Sequence, residues 1–295
     1  MAKNNYGLGS RDMAYAGKIA LNDLREKGFL SYASVDAMTD RFRDFSNFAK
    51  NELGIKKLED IKIKPDSIRS YFNSLTEKNL SASTIQNRIS AINTVMSHAT
   101  GGAWERIGAV RDLGAPERSY IREDRAEISR EQAGAAADVL RSNGLDRAAA
   151  VVQISRDLGL RMREASLLNV PQALREADQT GRISVVDGCK GGREREVVVT
   201  PEARETLAKL AENGFTKAIG DHQQLGSFIN GELSQARDTL KDHGICGYHE
   251  LRASWAQEKY DTLRSNGAND HAAREAVSHE LGHNRIEITN AYIVR

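Results

Sequence analysis

Val35, Met38, Phe42, Phe45 and Ala49 are apolar residues spaced alternately by three and four positions. Only an α-helix of about four turns gathers such a set into one buried stripe. The same spacing recurs on both sides of it. An earlier helix is expected from about Arg11 to Lys27, stopped by Gly28, and another from Asp66 or Ser67 through Ile68, Tyr71, Phe72 and Leu75. Ser83 can cap a further helix whose buried row is Ile85, Ile89, Ile92 and Met96, leaving Gln86, Asn87, Arg88 and Asn93 on its outer face. With 4 prolines in 295 residues, few positions interrupt helices. Residues 10–100 therefore read as a bundle of four or five helices.

From Gly101 to Ile128 the periodicity gives way to glycine, one proline and mixed charge, the composition of a connecting segment. A second domain opens at Ser129, with Gln132 three residues later in the arrangement of a capping box. Helices are expected over 130–141 and 145–157, with a short one starting near Arg161. Ile183–Val186 and Val197–Thr200 are β-prone and joined by a glycine- and charge-rich loop, which predicts a hairpin. From Pro201 onward the pattern is helical again. The fold expected is mainly α with a small β-hairpin: a helical domain over 1–110, a linker over 111–128 and an α+β domain over 129–295.

Composition mainly excludes. Cys189 and Cys246 are too few for a disulfide framework or a four-cysteine zinc site. No apolar run reaches the roughly 18 residues of a membrane span. The amino-terminal stretch lacks the apolar core of a secretory signal, so a cytoplasmic protein is expected. With 42 Lys+Arg against 41 Asp+Glu, the net charge is only +1. Any site for a polyanion must be a local gathering of basic side chains.

Four short segments carry candidate chemistry. In Asp157-Leu158-Gly159-Leu160-Arg161 a glycine turn delivers Arg161 to a helix start, where free N–H groups and the helix dipole favour an anion. In His249-Glu250-Leu251-Arg252, His249 and Arg252 share one helix face and Leu251 turns to the core. A proton-exchanging imidazole beside a permanent forked cation suits a phosphate undergoing displacement. In Leu281-Gly282-His283 a second imidazole precedes Tyr292 by nine residues. Lys190 lies among glycines in the hairpin loop. Taken singly, each is equally consistent with a solvated helix end, a surface charge or a buried tyrosine.

In chain order the set is Arg161, Lys190, His249, Arg252, His283 and Tyr292, with the spacings Gly-Leu-Arg, His-x-Leu-Arg and Leu-Gly-His-x₈-Tyr. This combination resembles the tyrosine recombinases, or phage-type integrases, across the second domain. The resemblance is weaker in the first domain, where Ser81-Ala82-Ser83-Thr84-Ile85 looks like a helix start of the family's core-binding domain. It implies a helical core-binding, DNA-clamping domain followed by a catalytic domain that cleaves and rejoins DNA through a covalent 3′-phosphotyrosyl link, integrating or excising a bacterial mobile element. Arg161 and Arg252 match the arginines that hold the nonbridging oxygens of the scissile phosphate. His249 and His283 match the phosphate-binding and proton-transfer histidines, Lys190 the lysine that protonates the departing 5′ oxygen, and Tyr292 the nucleophile. Glu164 matches a supporting acid. The partners implied are double-stranded DNA, three further copies of the chain, and accessory DNA-bending or directionality proteins, with no cofactor, no metal and no membrane, and nucleoid association when bound.

Two guanidinium forks and two imidazoles can neutralise the equatorial oxygens of a displaced phosphate without Mg²⁺. Because the link retains the bond energy, no ATP is needed, and no phosphate-binding Gly-x₄-Gly-Lys-[Ser/Thr] loop occurs. Lys78, Gln86, Asn87 and Arg88 are candidate DNA contacts in the first domain. The chain departs from the family pattern at Ala253, often a histidine, and only three residues follow Tyr292, where many relatives carry a docking tail. Three alternatives remain: a type IB-like topoisomerase, a DNA-binding regulator without catalysis, and a zinc hydrolase using His279-Glu280-x-x-His283.

Overall fold

A computed structural model describes residues 4–63, 66–118, 127–283 and 286–293. The chain divides into two compact units, 1–119 and 120–295. Residues 119–126 of the expected linker lie outside the described residues.

The first unit is built from α1 (Met13–Glu26), α2 (Tyr32–Leu53), α3 (Leu58–Ile63), α4 (Asp66–Glu77) and α5 (Ala82–Ala99). The expected stripes point inward: Phe42, Phe45, Tyr71, Ile89 and Ile92 are all at most 1% exposed. Gly17 permits α1 and α2 to meet closely, since a Cβ there would stand 2.2 Å from the Phe42 ring. Ser81, two residues before the expected cap, begins α5 by accepting a bond from the Thr84 N–H.

The outer face expected for α5 is corrected by the segment that leaves its carboxyl end and returns along it. Asn93 is buried: its amide donates to the Ile107 carbonyl, and its oxygen accepts from Trp104 and from the Ile107 N–H. Farther along, Gln86 donates to the Pro116 carbonyl, and Arg118 donates to both Gln86 and Asn87. Residues 103–118 are thus fastened along α5, with Leu113 and Ala115 buried. Arg88 is paired with Asp44 and donates to the Tyr71 hydroxyl. Of the four candidate DNA contacts, Lys78 is exposed, whereas Gln86, Asn87 and Arg88 are half-buried and already engaged.

The second unit comprises α6 (Arg130–Ser142), α7 (Asp146–Leu158), α8 (Met162–Leu167), α9 (Val170–Thr180), β1 (Arg182–Val185), β2 (Arg195–Val198), α10 (Pro201–Glu212), α11 (Leu225–Asn230), α12 (Glu232–Asp242), α13 (Tyr248–Ser265) and α14 (Asp270–Glu280). Helix α7 runs through its centre, buried at Ala148–Val152 and again at Ile154–Leu158. Ser129 caps α6 as expected, but the Gln132 side chain donates to the His243 carbonyl instead of closing a capping box. The strands pair antiparallel, Val185 opposite Arg195 and Ile183 opposite Val197. β2 starts and ends two residues earlier than expected, because Thr200 is the cap of α10 and accepts from the Ala203 N–H.

Candidate active site

Helix α7 ends at Gly159, whose φ of 63° turns the chain toward Arg161. The place of a Cβ at Gly159 is filled by the Trp255 ring, 2.4 Å away. Arg161 stands just before α8. Its backbone N–H and its Nη1 both donate to Glu164, at 2.8 and 2.7 Å. The expectation of an open anion site on backbone N–H groups at this helix start is therefore corrected: α8 has six residues, and the Arg161 N–H serves Glu164.

On α13, Leu251 is buried in the core, as the spacing predicts. Its neighbours differ from each other. His249 is exposed, while Arg252 is 1% exposed and lies between the end of α7 and the end of α14. Arg252 donates from Nη1 to the Gly159 carbonyl and from Nη2 to the Leu281 carbonyl. That same Leu281 oxygen accepts from Arg161 Nη2 at 3.2 Å, so one carbonyl holds both guanidinium groups.

Helix α14 stops at Glu280, and Gly282, at φ 65°, sends the chain back across the site. His283 follows this turn. The short turn Ile286–Ala291 then brings Tyr292 in, 6% exposed, with its hydroxyl 2.9 Å from His249 Nε2. Ring centres of His249 and His283 lie 5.0 and 5.2 Å from that of Tyr292, and Arg252 Cζ lies 6.0 Å from it. Five of the six expected catalytic residues thus meet in one place. Lys190 is exposed on the hairpin turn Lys190–Gly192 and makes no hydrogen bond to this group among the described residues.

The sequence reading missed Arg195. It is 8% exposed and grips both Glu164 oxygens, Nη1 to Oε1 at 3.0 Å and Nη2 to Oε2 at 2.7 Å. The available signal was strand alternation: Arg195 is in phase with the buried Val197 and so faces inward with it.

Three guanidinium groups here surround one buried carboxylate. Burial by itself raises the Glu164 carboxyl, but the hydrogen bonds and charge of Arg195, the Arg161 N–H and the Arg252 charge outweigh it and hold it near a pKa of about 2. Burial, then the charge of Arg161, brings Arg252 down to about 10, still cationic at neutral pH. Burial, followed by Arg252, Arg161, Arg195 and His249, brings His283 down to about 4, so its ring is neutral at pH 7. Arg252 Nε and His283 Nδ1 are buried and have no hydrogen-bond partner among the described residues. Unsatisfied groups of this kind, in an excess of positive charge, describe a receptor for an anion that can accept hydrogen bonds.

The same turn takes apart the zinc pattern. His279 is exposed at the end of α14, Glu280 is buried against Lys259 and the Val198 N–H, and His283 lies beyond the helix. The two histidines therefore do not project from one helix, as a zinc hydrolase of this motif requires. No cluster of three metal-ligating side chains occurs among the described residues, nor does any described helix suit a membrane span.

A family model described as integrase matches residues 124–258, and one described as phage integrase, N-terminal SAM-like domain, matches 21–100. The catalytic match ends before His283 and Tyr292, whose place in the site rests on the distances from Tyr292 to His249, Arg252 and His283. Among solved structures, the Tn1549 transposon integrase bound to transposon right-end DNA is 13% identical, covers 95% of this chain and 94% of its own, and superposes with a TM-score of 0.64. A lambda integrase tetramer on a Holliday junction is 15% identical over 97% of this chain and 78% of its own, with a TM-score of 0.63. XerH recombinase on its palindromic difH substrate is 13% identical over 96% and 81%, with a TM-score of 0.59. These likenesses establish a shared fold. A search of curated proteins finds no match by sequence.

Proposed function

The chain belongs to the phage integrase family of tyrosine recombinases, enzymes that cut and rejoin DNA at specific sites, and from that premise we propose that Tyr292 is the nucleophile that becomes joined to the DNA. The observation that carries this reading is the 2.9 Å contact between the Tyr292 hydroxyl and His249 Nε2, made beside Arg252 and His283.

The Tyr292 oxygen attacks the scissile phosphorus as its proton passes to His249 Nε2. Arg161, Arg252 through its free Nε, and His283 hold the nonbridging oxygens, where negative charge builds in the transition state. The bond from phosphorus to the 5′ oxygen breaks, and Lys190, reaching from the glycines of its turn, gives that oxygen a proton. The products are a 3′-phosphotyrosine and a 5′ hydroxyl. A 5′ hydroxyl from a second duplex reverses the steps and releases the enzyme, with no net change in bond energy.

The substrate is double-stranded DNA, the setting is the movement of a mobile element, and the working assembly is four copies of the chain, helped by accessory DNA-bending or directionality proteins. The Tn1549 transposon integrase of similar fold supports the mobile-element setting, and the lambda integrase tetramer supports the assembly of four copies. Lys78 is the candidate DNA contact of the first unit that remains open, since the Arg88 charge is committed to Asp44.

The test uses a pool of nicked duplexes of randomised sequence, in which the short strand beyond the cut diffuses away and traps the adduct. The full chain is expected to give a covalent protein–DNA band on a denaturing gel. Tyr292→Phe should still shift the duplex on a native gel and give no such band. An adduct from the phenylalanine variant would refute the assignment.

A further inference from the structure

Arg195 stands apart from Arg161 and Arg252, the other two arginines around Glu164. Arg252 keeps a buried Nε without a partner, whereas Arg195 spends its donors on the protein. Besides the two bonds to Glu164, its Nε donates to the Glu280 carbonyl at 2.7 Å, and its Nη1 lies 3.7 Å from Cys189 Sγ. A guanidinium bound in this way is not directed at a substrate. It joins three segments: α8 through Glu164, the end of α14 through Glu280, and its own hairpin, which carries Lys190.

Each segment presents a group of the site. Glu164 holds Arg161 by the backbone and the side chain and lies 3.7 Å from Arg252 Nη1. The Glu280 carbonyl immediately precedes Leu281, whose oxygen holds both Arg161 and Arg252. The Arg195 stem also fills the space beside Gly282, where a Cβ would meet its Cδ at 2.9 Å, and His283 is the next residue. A bidentate grip on a carboxylate fixes direction as well as distance. With Arg195 removed, a carboxylate at 0% exposure would keep only Arg161 and Arg252 as cationic partners, and both would be drawn toward it and away from a bound phosphate.

We propose that Arg195 is a positioning residue for strand cleavage: by fixing Glu164 and the turn after α14, it sets where Arg161, Arg252 and His283 meet the scissile phosphate. This inference rests on the DNA-cleaving role proposed for Tyr292 and its neighbours.

The test compares the full chain with Arg195→Met and Arg195→Lys, using one nicked duplex recovered from the randomised pool. Folding is followed by circular dichroism, affinity by native gel shift, and chemistry by the single-turnover rate of adduct formation at saturating protein. Misplacing reacting groups by about 1 Å costs on the order of 100-fold, so Arg195→Met should form adduct roughly 100-fold more slowly at unchanged affinity. Arg195→Lys keeps the charge but not the fork, and should recover part of that rate. It decides the question if the methionine variant is unfolded. A folded variant of either kind that cleaves at the wild-type rate would overturn the proposal. So would a loss of affinity equal to the loss of rate, since Arg195 would then contact DNA itself. If the unaltered chain forms no adduct with any duplex, the cleavage reading falls and this inference with it. If it does, and Tyr292→Phe does not, the Arg195 variants bear on this inference alone.

Discussion

Gly159→Ala should destabilise the second unit more than Gly144→Ala, and the difference isolates the contact behind Arg252. Both glycines have positive φ, 63° and 74°. Alanine at either place therefore loses roughly 1–2 kcal/mol to a left-handed backbone. At Gly144 a Cβ would meet open space, with nothing within 4 Å. At Gly159 it would stand 2.4 Å from two carbons of the Trp255 ring, and Trp255 is only 3% exposed, with little room to retreat. Overpacking of that kind costs a further 1–3 kcal/mol or so. The totals are about 2–5 kcal/mol at Gly159 and about 1–2 kcal/mol at Gly144. For a unit of this size each kcal/mol moves Tm by roughly 2–4 °C. At the middle of those ranges, about 1.5 and 3.5 kcal/mol, scanning calorimetry of the full chain should show a fall of about 3–6 °C for Gly144→Ala and about 7–14 °C for Gly159→Ala. Because the Gly159 carbonyl accepts from Arg252, the second variant should also cleave DNA more slowly while folded. Equal Tm values for the two variants would show that the Trp255 contact is without consequence.

The site carries three further expected outcomes. His283 titrates near 4 in the folded chain against 6.5 when unfolded, so between those values the unfolded state takes up a proton that the folded state refuses. Stability to urea should fall as pH is lowered from about 6.5 to about 4, and His283→Gln should flatten that slope; Glu164, held near 2, contributes only as pH drops below its ordinary 4.5. Lys190→Met should slow adduct formation by about 10²–10⁴-fold on ordinary DNA, and much less on a duplex whose leaving 5′ oxygen is replaced by sulfur, since a thiolate departs without an acid. Treatment with a zinc chelator should leave adduct formation unchanged, because His279 and His283 do not share a helix; loss of adduct would restore the zinc reading.

Arg161, His249, Arg252, His283 and Tyr292 were legible because their spacings encode local geometry: a glycine that ends α7, two residues one turn apart on α13, a glycine that ends α14. Arg195 was hidden by its neighbourhood. In a run of glycines and charges it resembles a loop residue, and its alternation with Val197 becomes visible once β2 is known to start at Arg195. The outer face of α5 was misjudged for a related reason. Periodicity tells which residues leave the helix on a given side, but not that a later segment returns to bind Gln86, Asn87 and Asn93. Polar residues with amide side chains suit water and a strap of backbone equally well.

His249 and Arg252 sit one helical turn apart, the first open to solvent and the second shut away from it. The centre therefore has a wet shore and a dry one. A charge that must stay constant through every cycle is kept on the dry side, where nothing competes for it. The ring that trades hydrogen in the mechanism proposed above stands at the water's edge, where bulk solvent can reset it after each turnover.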